Sequence, residues 1–119
     1  MSNLIAIVIA ALIQVESGGR DNATGDQGRA AGCLQMWPIA VAEANRLEGL
    51  AARREGRTAR TWTTADRFSR RKSVEMATVT LEHHYRRGVV DPVELGGRWR
   101  NPRGNAPQWY KDKVRGSLR

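Results

Sequence analysis

Cysteine is almost absent from this chain: Cys33 is the single one among 119 residues. It cannot close an intrachain disulfide, so the fold has to hold by packing, as expected of a chain made in a reducing compartment. Long apolar runs are missing as well. The run Leu4 to Ile13 is too short to span a bilayer. It lacks a basic n-region and passes directly into Gln14, Val15 and Glu16, so a secretion signal is not expected. Histidine is confined to His83 and His84, which are adjacent and point to different sides of a helix. They cannot share a metal in the way residues four apart do, and neither metal nor organic cofactor is expected.

Lysine is also scarce, with Lys72, Lys111 and Lys113 the only three, so the 20 basic residues are nearly all arginine. Against 12 acids they leave a net charge of +8, which points to a polyanionic partner. The excess is uneven: residues 1–52 hold 3 basic and 5 acidic residues, residues 53–119 hold 17 and 7. One half attracts anions, and the other half has a different task. An apolar share of 40% with 27% charged residues suits one compact domain over residues 1–119 and leaves no room for a second core.

Residues 3–17 are apolar on nearly every face and predict a helix buried in the middle of a domain, ended by Gly18 and Gly19. From Arg20 to Met36 no helical period survives. Gly25, Gly28 and Gly32 with Asn22, Thr24 and Asp26 predict tight turns and a short β ribbon. Pro38 opens a second helix to about Arg54, followed by a polar loop from Glu55 to Thr64. A third helix is expected from about Ser69 to Arg87, with Val74, Ala77, Thr78, Leu81 and Tyr85 on one stripe. Asp91 as N-cap, Pro92 at the first position and Glu94 reaching back predict a short helix to about Trp99. After the turn at Asn101 to Asn105, the spacing of Tyr110, Val114 and Leu118 supports a last helix. The fold class is mainly α, a helical body beside one glycine-rich excursion.

Glu16 stands out because Ile5, Ile9, Leu12 and Ile13 precede it on its own side of the helix. Its carboxyl emerges from an apolar stripe at the negative end of the helix dipole. Desolvation and dipole both penalise the anion and should raise the pKa. A carboxylic acid protonated near neutral pH is what glycosidic cleavage needs, since the leaving oxygen must receive a proton.

Gln14-Val15-Glu16-Ser17-Gly18-Gly19, followed by Gly25-Asp26-Gln27-Gly28-Arg29-Ala30-Ala31-Gly32-Cys33-Leu34-Gln35-Met36, resembles the lysozyme superfamily, specifically its soluble lytic transglycosylase type of domain. That family pairs a Glu-Ser motif at a helix end with a downstream Gly-x-x-Gln motif, here Glu16-Ser17 and Gly32-Cys33-Leu34-Gln35. Trp99-Arg100-Asn101-Pro102-Arg103-Gly104 and Tyr110 resemble its later aromatic-Asn-x-Gly motif and tyrosine more loosely, and Ser73 to Leu81 is similar to its scaffold helix. Cys33, Arg100 and the Asn101 to Gly104 spacing depart from the pattern.

The resemblance implies an α+β lysozyme-like fold and cleavage of peptidoglycan between N-acetylmuramic acid (MurNAc) and N-acetylglucosamine (GlcNAc), with Glu16 as general acid and then base. Ser17 would orient Glu16 or contact a sugar substituent, Gln35 would line the cleft, Asn101 would bind an N-acetyl group and Tyr110 would support the carboxyl. It implies a monomeric phage endolysin or virion-associated wall enzyme, made in a bacterial cytoplasm and acting on glycan strands beneath a polyanionic surface.

A glycosidase that hydrolyses generally needs a second carboxylate, whereas transglycosylation needs one. Asp21 and Asp26 are the candidates for a second acid, Asp26 having the better case, although an aspartate between Gly25 and Gln27 also reads as a turn former. Cys33 reads as a small buried hydrophobe rather than a reactive thiol. Among the four tryptophans, Trp62, in a polar loop with Thr61, Thr63 and Thr64, is placed at the cleft rim or surface. The rival class is a nucleic-acid-binding module using the arginine field, but no zinc spacing or helix-turn-helix accompanies it and Glu16 has no role there.

Overall fold

The computed structural model describes residues 3–118, and they form a mainly helical body with one small antiparallel sheet. The elements are α1 (Asn3–Ser17), β1 (Thr24–Gly25), β2 (Ala30–Ala31), α2 (Pro38–Glu55), α3 (Arg70–Arg86), α4 (Pro92–Arg100) and α5 (Gln108–Ser117), with 3₁₀ turns at Asp26–Gly28 and Thr64–Phe68. No helix among the described residues is long and apolar enough to cross a membrane.

The apolar helix α1 packs against α3, α4 and α5, so three of the other four helices gather around it. Ile5, Val8, Ile9 and Leu12 are buried along it and join Leu34, Met36, Met76, Leu81, Leu95 and Val114 in one core. Each large side chain of this kind contributes roughly 1.5–3 kcal/mol by leaving water. The burial expected all around this uniformly hydrophobic helix is not complete. Ile7 is 41% exposed, and Asn3, Ala10 and Gln14 lie on the same open side. The helices cover three sides of α1, and five helices in this arrangement leave the fourth to solvent.

Local punctuation sets the other helix ends. Gly56 takes a left-handed φ of 68° and caps α2, while Ser69 caps α3 by accepting the Lys72 N–H at 3.3 Å. Asp91 accepts the N–H groups of Val93 and Glu94, both at 3.1 Å. The reciprocal half of the expected capping box is replaced: the Glu94 carboxylate accepts from Lys111 Nζ at 3.2 Å, so it ties α4 to α5 instead. Those two helices come close enough that a Cβ on Gly96 would lie 2.8 Å from Val114 Cγ1.

The polar segment after α2 is organised by a charge the sequence does not single out. Glu48 is fully buried, and its two carboxylate oxygens accept from Arg57 at 2.7 and 3.2 Å, and from the Arg60 backbone and guanidinium at 2.8, 3.0 and 3.0 Å. These bonds hold its carboxyl far below the usual carboxylate range, the Arg60 side chain contributing most. The pinned segment then inserts Trp62. That side chain is 4% exposed, its backbone pairs with the Asn45 amide at 2.9 and 2.9 Å, and its indole donates to Glu75 at 3.1 Å. The expected position of Trp62 at a cleft rim or surface is therefore corrected. The polar neighbours of Trp62 stay outside, but the ring fills a hole between α2 and α3.

Glu48→Gln should lower stability by about 2 kcal/mol at pH 7, less than the 3–5 typical of a broken buried pair because both arginines are partly exposed and screened. Chemical denaturation at two pH values checks this. Because the Glu48 pKa is lowered on folding, its contribution is present above the 4.5 of a free glutamate and fades as pH falls below it, so wild type and variant should converge in acid.

Candidate active site

Glu16 is the next-to-last residue of α1, and the chain beyond it is turned sharply by Gly18 and Gly19 at φ 64° and 91°. Ser17 fixes that turn. Its hydroxyl donates to the Ile13 carbonyl at 3.1 Å and accepts from the N–H groups of Gly19 and Arg20 at 3.1 and 3.0 Å. One hydrogen and two lone pairs are thereby used, and Ser17 is 5% exposed. The side chain has nothing left for a sugar substituent. It holds the end of the helix that carries Glu16.

The half-buried Glu16 carboxyl meets α5 and the last turn of α4. Tyr110 is 2% exposed, and its hydroxyl donates to Glu16 Oε2 at 2.5 Å. The guanidinium of Arg100 lies over the rings of Trp109 and Tyr110, 4.9 and 5.6 Å from their centroids. Burial is the largest influence on Glu16 and raises its pKa above the 4.5 of a free glutamate. The Tyr110 hydrogen bond and the Arg100 charge pull it down, and Asp26 pushes it up again. Burial wins, and the carboxyl holds its proton more firmly than a free glutamate. Burial also pushes the Tyr110 hydroxyl up, with the Glu16 charge adding to it, so the phenol remains a donor.

The glycine-rich excursion forms the other wall. Strands β1 and β2 pair with Thr24 opposite Ala31 and Gly25 opposite Ala30, and a further bridge joins Ala31 to Met36. Gly32 has φ 85°, and a Cβ there would lie 1.7 Å from the Arg67 carbonyl oxygen, so no larger residue fits. Gln35 takes the left-handed φ of 49°, unusual outside glycine. Its amide donates to the carbonyls of Ala23 and Gly32 at 3.1 and 3.0 Å, which repays that conformation by tying both sides of the loop together. Arg67 adds a brace from outside, donating to the carbonyls of Arg29 and Met36 at 2.8 and 2.9 Å.

Asp26 is exposed at the tip, with φ 50°, and its carboxylate accepts the Trp37 indole N–H at 3.2 Å. Asp21 is held elsewhere, accepting from Arg70 Nε at 2.8 Å. Arg70 also donates to the Gly19 carbonyl. Cys33 is fully buried, and burial raises its pKa, which leaves it a thiol rather than a nucleophilic thiolate.

A groove of about 800 Å³ opens between α2 and the end of α4, lined on one side by Trp37 and Ile39 and on the other by Arg98, Trp99, Arg100 and Arg103. Gln35 also lines it, and Trp99 is anchored by donating its indole N–H to the Leu34 carbonyl at 3.1 Å. Asn101 sits at the C-cap of α4, its side-chain oxygen accepting the Arg103 N–H at 3.2 Å, beside the groove rather than among its lining residues. Arg100 joins groove to carboxyl, since it lines the first and covers the tyrosine that donates to the second.

Tyr110 thus meets Glu16 directly, Asp26 acts on Glu16 only as the smallest of the influences on its pKa, Gln35 holds the loop, Asp21 pairs with Arg70, and Ser17 holds the helix end. Arg100 was visible in the sequence only as a departure from a motif. The alternation of tryptophan and arginine at Trp99-Arg100 and the aromatic pair Trp109-Tyr110 are the signals that could have marked it. Comparison of the chain with family models, with curated proteins and with solved structures finds no match.

Glu16→Gln should raise the thermal unfolding midpoint by a few degrees at pH 7–8. The carboxyl pKa is raised on folding, so its stabilising effect is complete below 4.5 and is lost as pH rises through the raised value. The amide suffers no such loss. Melting curves from pH 4 to 8 should therefore coincide at the acid end and separate upward. A variant less stable than wild type at neutral pH would contradict this.

Proposed function

We propose that the chain cleaves the β-1,4 bond between MurNAc and GlcNAc in peptidoglycan, as a lytic transglycosylase of lysozyme-like fold. The observation that carries this reading is the carboxyl of Glu16, whose pKa burial raises while Tyr110 holds one of its oxygens at 2.5 Å. A carboxyl that keeps its proton more firmly than a free glutamate, held in a fixed direction, suits delivery of that proton to a glycosidic leaving oxygen.

In the proposed reaction Glu16 gives its proton to the oxygen leaving with GlcNAc as the bond to the MurNAc anomeric carbon breaks. The carbonyl oxygen of the MurNAc N-acetyl group attacks that carbon from the opposite face and forms a cyclic cation. Glu16, now a carboxylate, takes the proton of the MurNAc 6-hydroxyl as its oxygen displaces the N-acetyl oxygen. A 1,6-anhydro sugar results, and Glu16 is protonated again. Arg100 and the Tyr110 hydroxyl both favour the carboxylate and so ease the first transfer, while burial favours the return of the proton. One acid performs both transfers, which accords with Asp21 being paired to Arg70.

A muramidase reading rests on Asp26, whose charge is felt at Glu16. There a water activated by Asp26 would attack the anomeric carbon and leave an ordinary reducing end. The left-handed backbone at Asp26 and its bond to the Trp37 indole also suit a turn former.

Digestion of purified sacculi with mass analysis of the fragments decides among these outcomes. Transglycosylation gives products one water lighter than hydrolysis, and intact sacculi would overturn both readings. Glu16→Gln should fold and lose activity by about a thousandfold or more, given what general-acid and electrostatic contributions are worth.

A further inference from the structure

Trp109 is exposed at the start of α5, yet its indole is not bare. The Arg100 guanidinium lies 4.9 Å from the ring centroid and the Lys113 ammonium 5.5 Å. A ring already covered by cations is a poor platform for a sugar, and its exposure adds little to the core. What it does have is a grip on Arg100. Among the described residues that guanidinium has no hydrogen-bond partner and no carboxylate within ion-pair distance, so the rings of Trp109 and Tyr110 are what hold it. Without them the side chain at the end of α4 would spread over many rotamers and carry its charge into solvent.

The place where it is held is next to Glu16. The Tyr110 ring centroid lies 5.6 Å from the guanidinium, and the Tyr110 hydroxyl donates to Glu16 Oε2 at 2.5 Å. Facing the carboxyl are Tyr110 from α5, Arg100 from the end of α4 and Asp26 from the excursion. From α3, Arg70 stops at the turn after α1, where it donates to the Gly19 carbonyl and pairs with Asp21. Among the described residues Arg100 is therefore the positive charge that acts on Glu16, and it favours the anion. Against the burial that raises the Tyr110 pKa it also pulls that group down, which makes the O–H a stronger donor.

We propose that Trp109 is a positioning residue for the acid: its indole clamps the Arg100 guanidinium over the Tyr110 ring and so keeps a positive charge beside the carboxylate that Glu16 becomes once its proton is given away. Trp109 acts only through Arg100. The catalytic half of the inference rests on the glycan-cleaving reading above, whereas the clamp itself is measurable without any substrate.

NMR titration of the Glu16 carboxyl carbon in variants of the full chain tests the clamp. Arg100→Gln should raise the midpoint by about 0.5 pH unit, less than the roughly 1–3 that a contacting charge can give, because Arg100 is exposed. Trp109→Leu should raise it by most of that amount although it removes no charge, and the double variant should rise no further than Arg100→Gln alone. Trp109→Phe, which keeps an aromatic face, should stay close to wild type. Lys113→Gln takes the other cation from the indole and should leave the midpoint in place. On sacculi, Trp109→Leu should move the basic limb of the cleavage rate upward by the same interval and lower the rate on the plateau by up to about threefold, the factor that half a pH unit represents.

An unchanged midpoint in Arg100→Gln or Trp109→Leu would overturn the proposal. So would single-variant shifts that add in the double variant, since Trp109 would then act by another route, such as its edge contact with Tyr110. A Lys113→Gln shift as large as that of Arg100→Gln would overturn it too, by showing a general loss of positive charge. Sacculi left intact by wild type would overturn the cleavage reading instead, while the midpoints still decide the clamp.

Discussion

A carboxyl group ending a greasy helix, with a buried phenol pressed against one of its oxygens, is the constraint around which this molecule is arranged. Moving Glu16 out of water costs energy in its ionised form, and the fold accepts that cost by surrounding α1 on three sides with α3, α4 and α5. The same packing brings Tyr110 and Arg100 to the helix end, and each moderates what burial imposes. Stability and chemistry therefore pull in opposite directions at a single residue. Glu48 shows the contrary solution, a fully buried carboxylate kept ionised by two arginines.

The glycine-rich excursion matters because it is rigid. Gly32 presses against the Arg67 carbonyl, the Gln35 amide ties Gly32 to Ala23, and Arg67 reaches back to Arg29 and Met36. A segment without helix or extended sheet thereby becomes a fixed wall, and it places Asp26 where its charge is felt at Glu16. A Gly-x-x-Gln spacing has a local explanation here: the glycine allows the close approach, and the glutamine closes the turn that the glycine begins.

Features set by near neighbours in sequence were legible there. The end of α1 and the starts of α2 and α4 follow from Gly18-Gly19, Pro38 and Asp91-Pro92, and the apolar approach to Glu16 is periodic along one helix. Features set by distant partners were not. Glu48 looks like any acid on α2 until Arg57 and Arg60 fold back on it, and Trp62 looks exposed until Asn45 and Glu75 claim it. Arg100 acquires meaning only once α4 ends over α5, which no spacing within α4 reveals. Likewise the motif leaves Ser17 either to orient Glu16 or to contact a sugar, and its three backbone hydrogen bonds depend on the turn that follows.

The most direct measurement is an NMR pH titration of the Glu16 side-chain carboxyl carbon in the folded protein. The account requires a midpoint above 4.5, rising further in Tyr110→Phe, because that substitution removes a hydrogen bond favouring the anion while leaving the burial in place. A midpoint at or below 4.5 would contradict it, for burial would then not outweigh the Tyr110 hydrogen bond and the Arg100 charge.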